Sequence, residues 1–236
     1  NPGTPSASPV PVLRETATLE APAMTTRAVP ESFAVRPASV PRPALSSWRH
    51  IGNLSGGFVL FEGADGLVSL NVAAARARIY YEKCLADMEA AACQWQGLLF
   101  PIVVELSPTH AAALEQGLEL FKQGGFQIED FGQWSYRVTG VPTWFDGDRA
   151  EDFVKNAASA LAEGGLRVGR DPLAARESFA RLAAAHASGG PAPADEVQSL
   201  ELAGRLLACK NPIFDPRGNP TIVEITRREL AGLRRR

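Results

Sequence analysis

The chain has 236 residues, of which 45% are hydrophobic, and a formal charge of -2. That is enough apolar material for one domain or two small ones, and too little net charge for bulk attraction to nucleic acid. No apolar run approaches the roughly 20 residues of a membrane span, no stretch reads as a secretory leader, and Cys84, Cys93 and Cys209 lack disulfide-framework or zinc-knuckle spacing, so reduced thiols in the cytoplasm are expected.

Residues 1–45 carry half of the 18 prolines and no tryptophan or tyrosine. Proline removes backbone donors and enforces extended geometry, so this stretch cannot build a core. It reads as an extended, semi-rigid linker, although a tail without function has the same composition. The chain does not begin with Met, and a linker implies something before it, so a piece of a longer protein is expected.

Order is expected from Trp48. Ile51 to Leu60 and Leu67 to Leu70 read as two antiparallel strands joined by Gly63-Ala64-Asp65-Gly66, with Gly56-Gly57 bending the first. Asn71 is placed to cap a long alanine-rich helix. Ala74, Ala77, Tyr81, Cys84, Leu85, Met88 and Ala92 form one apolar stripe, and Val72, Ala75, Ile79 and Ala86 form a second. A helix apolar on two sides is expected between two layers.

Leu98 to Leu106 reads as a strand, and Ser107-Pro108 as a helix start. That helix buries Leu114, Leu118 and Phe121 and stops at Gly124-Gly125. Phe126 to Phe131 and Ser135 to Val141 complete a β-α-β-β unit. Three helices follow, over roughly 149–163, 172–187 and 194–208, punctuated by Gly164-Gly165 and Ser188-Gly189-Gly190-Pro191. Thr221 to Ile225 reads as a last strand, and Thr226-x-x-Glu229 as a capping box.

Chemistry-bearing patterns are sparse. His50, His110 and His186 are scattered, and no zincin, GxSxG, P-loop or dinucleotide-binding motif occurs in a fitting context. The basic tail from Arg227 to Arg236 is an ordinary solvated helix end or a weak contact to DNA phosphates.

The segment from Asp65 through Leu70-Asn71-Val72-Ala73-Ala74-Ala75-Arg76-Ala77 to Glu82 resembles the strand–helix junction in the C-terminal domain of the MutL family of DNA mismatch-repair proteins. Gln96-Gly97-Leu98-Leu99-Phe100-Pro101 resembles the family's Q-x-L-L-x-P segment. Gly125-Phe126, Gln127 to Gly132 and Val141-Pro142 resemble its next strands. Cys209-Lys210-Asn211-Pro212 followed by Asp215 to Thr221 resembles its CPHGRPT segment. The likeness covers about residues 47–236, in the family's order.

The resemblance implies an α/β (α+β) fold in two lobes, with small mixed sheets packed with helices. Residues 46–95 and 186–236 would form a discontinuous dimerisation lobe, and 96–185 an inserted regulatory lobe. It also implies a homodimer that docks the mismatch-recognition protein MutS and binds DNA weakly, inside a bacterial cell. A sliding clamp would be held by Gln96, Leu98, Leu99, Phe100 and Pro101. ATP and Mg²⁺ would belong to an ATPase preceding the linker, with no cofactor in this chain.

Nuclease-competent members read DQHAxxExxxxE at the junction and place further ligands in the CPHGRPT segment. The aligned positions here are Asn71, Ala73, Ala77, Asp215 and Arg217, and only Glu82 keeps the family's identity. Near Leu182 to His186, where the family has an ACR-type segment, no match is visible. Alanine offers no lone pair and Arg217 repels a cation, so metal-assisted phosphodiester cleavage lacks its ligands. The expectation is therefore a non-catalytic dimerisation and docking domain. The alternatives are a nicking endonuclease with unusual ligands, drawn from Glu82, Asp215, Cys209 and His186, and an unrelated α/β ligand-binding or enzyme domain.

Overall fold

The computed structural model describes residues 47–166 and 171–233. The proline-rich stretch read as a linker lies outside these residues, as do Arg234 to Arg236. In chain order the elements are β1 (Arg49–Leu54), β2 (Phe58–Glu62), β3 (Gly66–Asn71), α1 (Val72–Glu89), β4 (Trp95–Glu105), α2 (Pro108–Gln123), β5 (Gln127–Gly132) and β6 (Ser135–Pro142). Then come a 3-10 turn (Gly147–Arg149), α3 (Ala150–Ala162), α4 (Pro172–Ala187), α5 (Glu196–Leu207), β7 (Ile222–Thr226) and α6 (Arg227–Leu233).

The first sheet has the order β1-β2-β3-β7, antiparallel throughout. Where the sequence suggests one bent strand over Ile51 to Leu60, the chain folds into two. Gly56 and Gly57 both take positive φ, 105° and 83°, and form a hairpin turn rather than a bulge. The expected second turn is present, with the Gly63 N–H donating to the Gly66 carbonyl at 2.8 Å. Gly66 sits so close to β7 that an added Cβ would lie 2.2 Å from the Ile225 oxygen, so the pairing of β3 with β7 depends on a residue without a side chain. Alternation along β2 and β3 turns Val59, Phe61, Val68 and Leu70 inward. They pack with Val72, Ala75 and Ile79 of α1, Leu202, Ala203 and Leu206 of α5, and Ile222 of β7 in one core.

The second sheet has the order β4-β6-β5 and is also antiparallel, so neither sheet is mixed as expected. Parallel pairing needs a crossover within one sheet. Here α1 links strands of different sheets, and β4 and β5, which α2 joins, are both edges of the second sheet. A second core lies between this sheet, α2, α3, α4 and the last turns of α1. Its centre is a ring cluster in which Phe126 stacks on Phe153 at 4.6 Å and meets Phe121, Phe145 and Phe179 edge-on. The helix ends follow their local signals. Ser107, Asp171 and Asp195 cap α2, α4 and α5 with side-chain oxygens. Thr226 and Glu229 form the reciprocal capping box at α6.

α1 belongs to both cores. Its first half faces the first core, Cys84 and Met88 face the second, and Tyr80 packs against each. Two members of the expected stripes do not take part: Ala86 is exposed, and Ala92 lies beyond the helix end and is exposed too. The Asn71 side chain caps the helix as expected, accepting from the Ala74 N–H at 3.0 Å. Alongside α1 lies α4, whose Ala180, Ala183 and Ala184 are fully buried. Small side chains on both helices let their axes approach closely.

Candidate functional site

β4 is not the regular strand that its β-branched residues suggest. It begins earlier, at Trp95, and pairs with β6 at Trp95–Pro142, Gln96–Val141 and Gly97–Gly140. Pairing resumes only at Ile102–Val138, so Leu98, Leu99, Phe100 and Pro101 stand against Thr139 alone. Pro101 has no N–H to donate to a ladder, which favours an interruption at this place on an edge strand. Leu98 is half-buried and packs on the second core, rooting the bulge. Leu99 and Phe100 are 87% and 80% exposed, and Trp95 beside them is also exposed. Leu99 and Phe100 are therefore not core residues of this strand. An extended edge segment with two outward apolar side chains suits capture by a hydrophobic pocket.

The positions aligned with the family's metal ligands come together elsewhere. Asn71, Ala73, Ala77, Asp215 and Arg217 all line one open cleft of about 430 Å³, between the start of α1, the end of α4 and the turn before β7. Arg181 from α4 also lines it. Nothing in the sequence singles out Arg181, which sits in an alanine-rich helix with no motif around it. The donor set does not fit a cation. Among the described residues Asp215 is the cleft's only acid, and its Oδ1 accepts from the N–H groups of Arg217 and Asn219 while Oδ2 accepts from the Asn219 amide, all at 2.8–2.9 Å. Its lone pairs thus shape the turn, and two guanidinium groups share the same space.

Glu82 does not line the cleft. Its carboxylate accepts from the N–H groups of Lys210 and Asn211, at 2.7 and 3.1 Å, and lies 3.6 Å from the Arg78 guanidinium. Arg78 is itself buried and donates to the Phe214 carbonyl at 2.6 Å. Cys209 is buried, and that burial pushes its thiol up to about 11, so it is a neutral thiol at neutral pH and a poor ligand. His186 lies against Phe153, with the Asn156 amide 3.2 Å from its Nε2. Among the described residues no group of three or more His, Cys, Asp or Glu side chains could hold a metal ion. The substitute site drawn from Glu82, Asp215, Cys209 and His186 is not assembled.

Burial holds the His186 imidazole below its ordinary 6.5, with Arg149 and Arg217 adding to the effect and Asp152 opposing it. A folded-state value below the unfolded one makes the unfolded chain bind more protons in the interval between them. The contribution is therefore complete above about 6.5 and is lost as pH falls from there through the lowered folded value. The melting temperature of the wild-type chain is expected to drop more steeply between neutral pH and mild acid than that of His186→Gln. Parallel curves would contradict this.

Two antiparallel sheets, two cores joined by one helix, a displayed edge bulge and an open cleft define an α+β domain. A family model described as the MutL C terminal dimerisation domain matches residues 51–189, and the chain belongs to that family. It is 36% identical over 197 residues to the DNA mismatch repair protein MutL of Opitutus terrae, covering 82% of this chain and 31% of that protein. The MutL proteins of Ligilactobacillus salivarius and Symbiobacterium thermophilum are each 28% identical, over 80% and 88% of this chain and 28% and 35% of theirs. The chain thus spans about a third of the length of these relatives. No helix among the described residues is long and apolar enough to cross a membrane.

Proposed function

We propose that this chain is the dimerisation and partner-docking domain of a DNA mismatch-repair protein, acting without nicking DNA itself. The bulged, outward-facing Leu99 and Phe100 carry this reading, because an exposed pair of large apolar side chains on an unpaired edge has no packing role within the chain. The first core, with β1 to β3 and β7, would be the dimerisation lobe, and the β-α-β-β unit with its helices the regulatory lobe. Gln96, Leu98, Leu99, Phe100 and Pro101 would be read by a sliding clamp, Gln96 through its amide and Leu99 and Phe100 through a hydrophobic pocket, with Leu98 anchoring the segment on its own core. MutS and, weakly, DNA complete the expected partners. Two copies joined here would tether any ATP- and Mg²⁺-dependent heads attached through proline-rich segments and raise their effective concentration.

The test is a binding titration against the bacterial sliding clamp, with light scattering on the same samples. Leu99→Ala and Phe100→Ala are each expected to weaken clamp binding by about 2 kcal/mol, the scale of interface hot spots. Both should leave the melting temperature and the dimer mass unchanged, because the side chains project into solvent. Clamp binding that survives both changes, or a wild-type chain that is monomeric at high micromolar concentration, would overturn the reading.

A further inference from the structure

We infer that Trp95 is a further anchor of the docking surface, a rigid indole outside the Gln96-to-Pro101 segment that packs on the rim of the partner's pocket. The inference rests on the docking reading and deepens it. Trp95 is a large apolar side chain left 53% exposed at the start of β4, just ahead of the bulge. Its backbone belongs to the paired part of the strand. It sits opposite Pro142 of β6, the neighbouring Thr143 N–H donates to the Gln94 carbonyl at 3.1 Å, and Gly97 sits opposite Gly140. The ladder breaks only after Gly97. Trp95 is therefore a fixed point next to a segment that the ladder leaves unpaired.

The indole is also seated from below. A Cβ added at Gly140 would stand 2.7 Å from Cε3 of Trp95 and 3.1 Å from Cγ of Gln127, so no side chain fits there while the indole keeps its place. Gly140 does not take a positive φ, and the room it leaves for the ring is what a glycine supplies at this position. Part of the ring thus rests on β6 and Gln127, and the rest faces water. An aromatic side chain already fixed by packing loses little entropy when a partner covers it, which is one reason tryptophan is enriched among interface hot spots. With Leu99 and Phe100 it makes one exposed apolar strip along an edge strand. Trp134 is a contrast. It is 58% exposed, but it lies in the β5–β6 turn beside Ser135, which pairs with Glu105 at the other end of β4.

The experiment extends the sliding-clamp titration, with the 236-residue chain, to Trp95→Ala, Trp95→Phe, Gly140→Ala and Trp134→Ala. Phe100→Ala serves as the reference for the docking reading, and Trp134→Ala as the control for losing an exposed tryptophan remote from the bulge. Trp95→Ala is expected to weaken clamp binding about tenfold to thirtyfold, and Trp95→Phe about threefold. Gly140→Ala pushes the indole off its seat and should weaken binding about threefold with Trp95 itself intact. Trp134→Ala should bind as wild type does. Fluorescence gives a readout that a purely structural tryptophan would not move. Of the four tryptophans, Trp48 is buried and Trp144 half-buried, so in a Trp134→Phe protein the largely exposed indole is Trp95. After subtraction of the clamp's own emission, saturating clamp should shift that indole's emission to the blue and shield it from acrylamide. A Trp95→Ala variant that binds like wild type while Phe100→Ala does not overturns the inference and leaves the docking reading standing. A Trp134→Ala variant that loses as much as Trp95→Ala, or an indole that stays open to acrylamide in the complex, also overturns it. A wild type that does not bind the clamp removes the docking reading and this inference with it.

Discussion

Phe126→Ala is expected to destabilise the domain by about 3–5 kcal/mol, the range for truncating a fully buried aromatic residue. Phe126 is the hub of the second core: it stacks on Phe153 and meets Phe121, Phe145 and Phe179 edge-on, at centroid separations of 4.6–6.2 Å. Removing it takes away the transfer energy of the ring and leaves a void that four neighbouring rings cannot fill without leaving their rotamers. For a folded region of this size the loss corresponds to a fall in melting temperature of about 10 °C. Urea denaturation followed by tryptophan fluorescence checks it. A loss below about 1 kcal/mol would mean that the core collapses around the missing ring. Phe126→Leu, which keeps much of the volume, should fall between the two.

The second large effect is expected at Glu82. Its carboxylate ties α1 to the turn at Lys210 and Asn211 and neutralises Arg78. Both side chains of the ion pair are largely buried. Glu82→Ala leaves two backbone N–H groups without their acceptor and a buried guanidinium without its counter-charge, and is expected to cost about 3 kcal/mol. Glu82→Gln keeps an oxygen for one of the N–H groups and should cost about half of that. Chemical denaturation of the three proteins measures the order. Equal stability of wild type and Glu82→Ala would show that the strut is dispensable.

Much of the fold was legible because its punctuation is local. Asn71, Ser107 and the Thr226–Glu229 box cap where their side chains allow, and the apolar stripes of α1 point to the two cores that bury them. What was not legible depends on partners distant in sequence. Gly56-Gly57 bends or reverses a strand according to what lies beside it, and the pairing of β2 with β3 selects the reversal. The bulge at Leu98 to Pro101 is invisible as periodicity, since Leu-Leu-Phe reads as core unless β6 is known to skip it. The aligned motif positions did converge, but Glu82 was detached from them by the helix's own rotation. Five residues beyond Ala77 it faces the Lys210 turn instead of the cleft.

A helix shared by two cores has a mechanical consequence. Because Val72 and Met88 sit at opposite ends of one hydrogen-bonded rod and in different cores, neither core can lose its share of α1 without exposing apolar surface in the other. The two sheets therefore melt as one cooperative unit, with the amides in the middle of α1 exchanging only at the global unfolding rate. A tug on the edge of β4, of the kind a bound partner exerts, is resisted by the whole described region rather than by the lobe it touches.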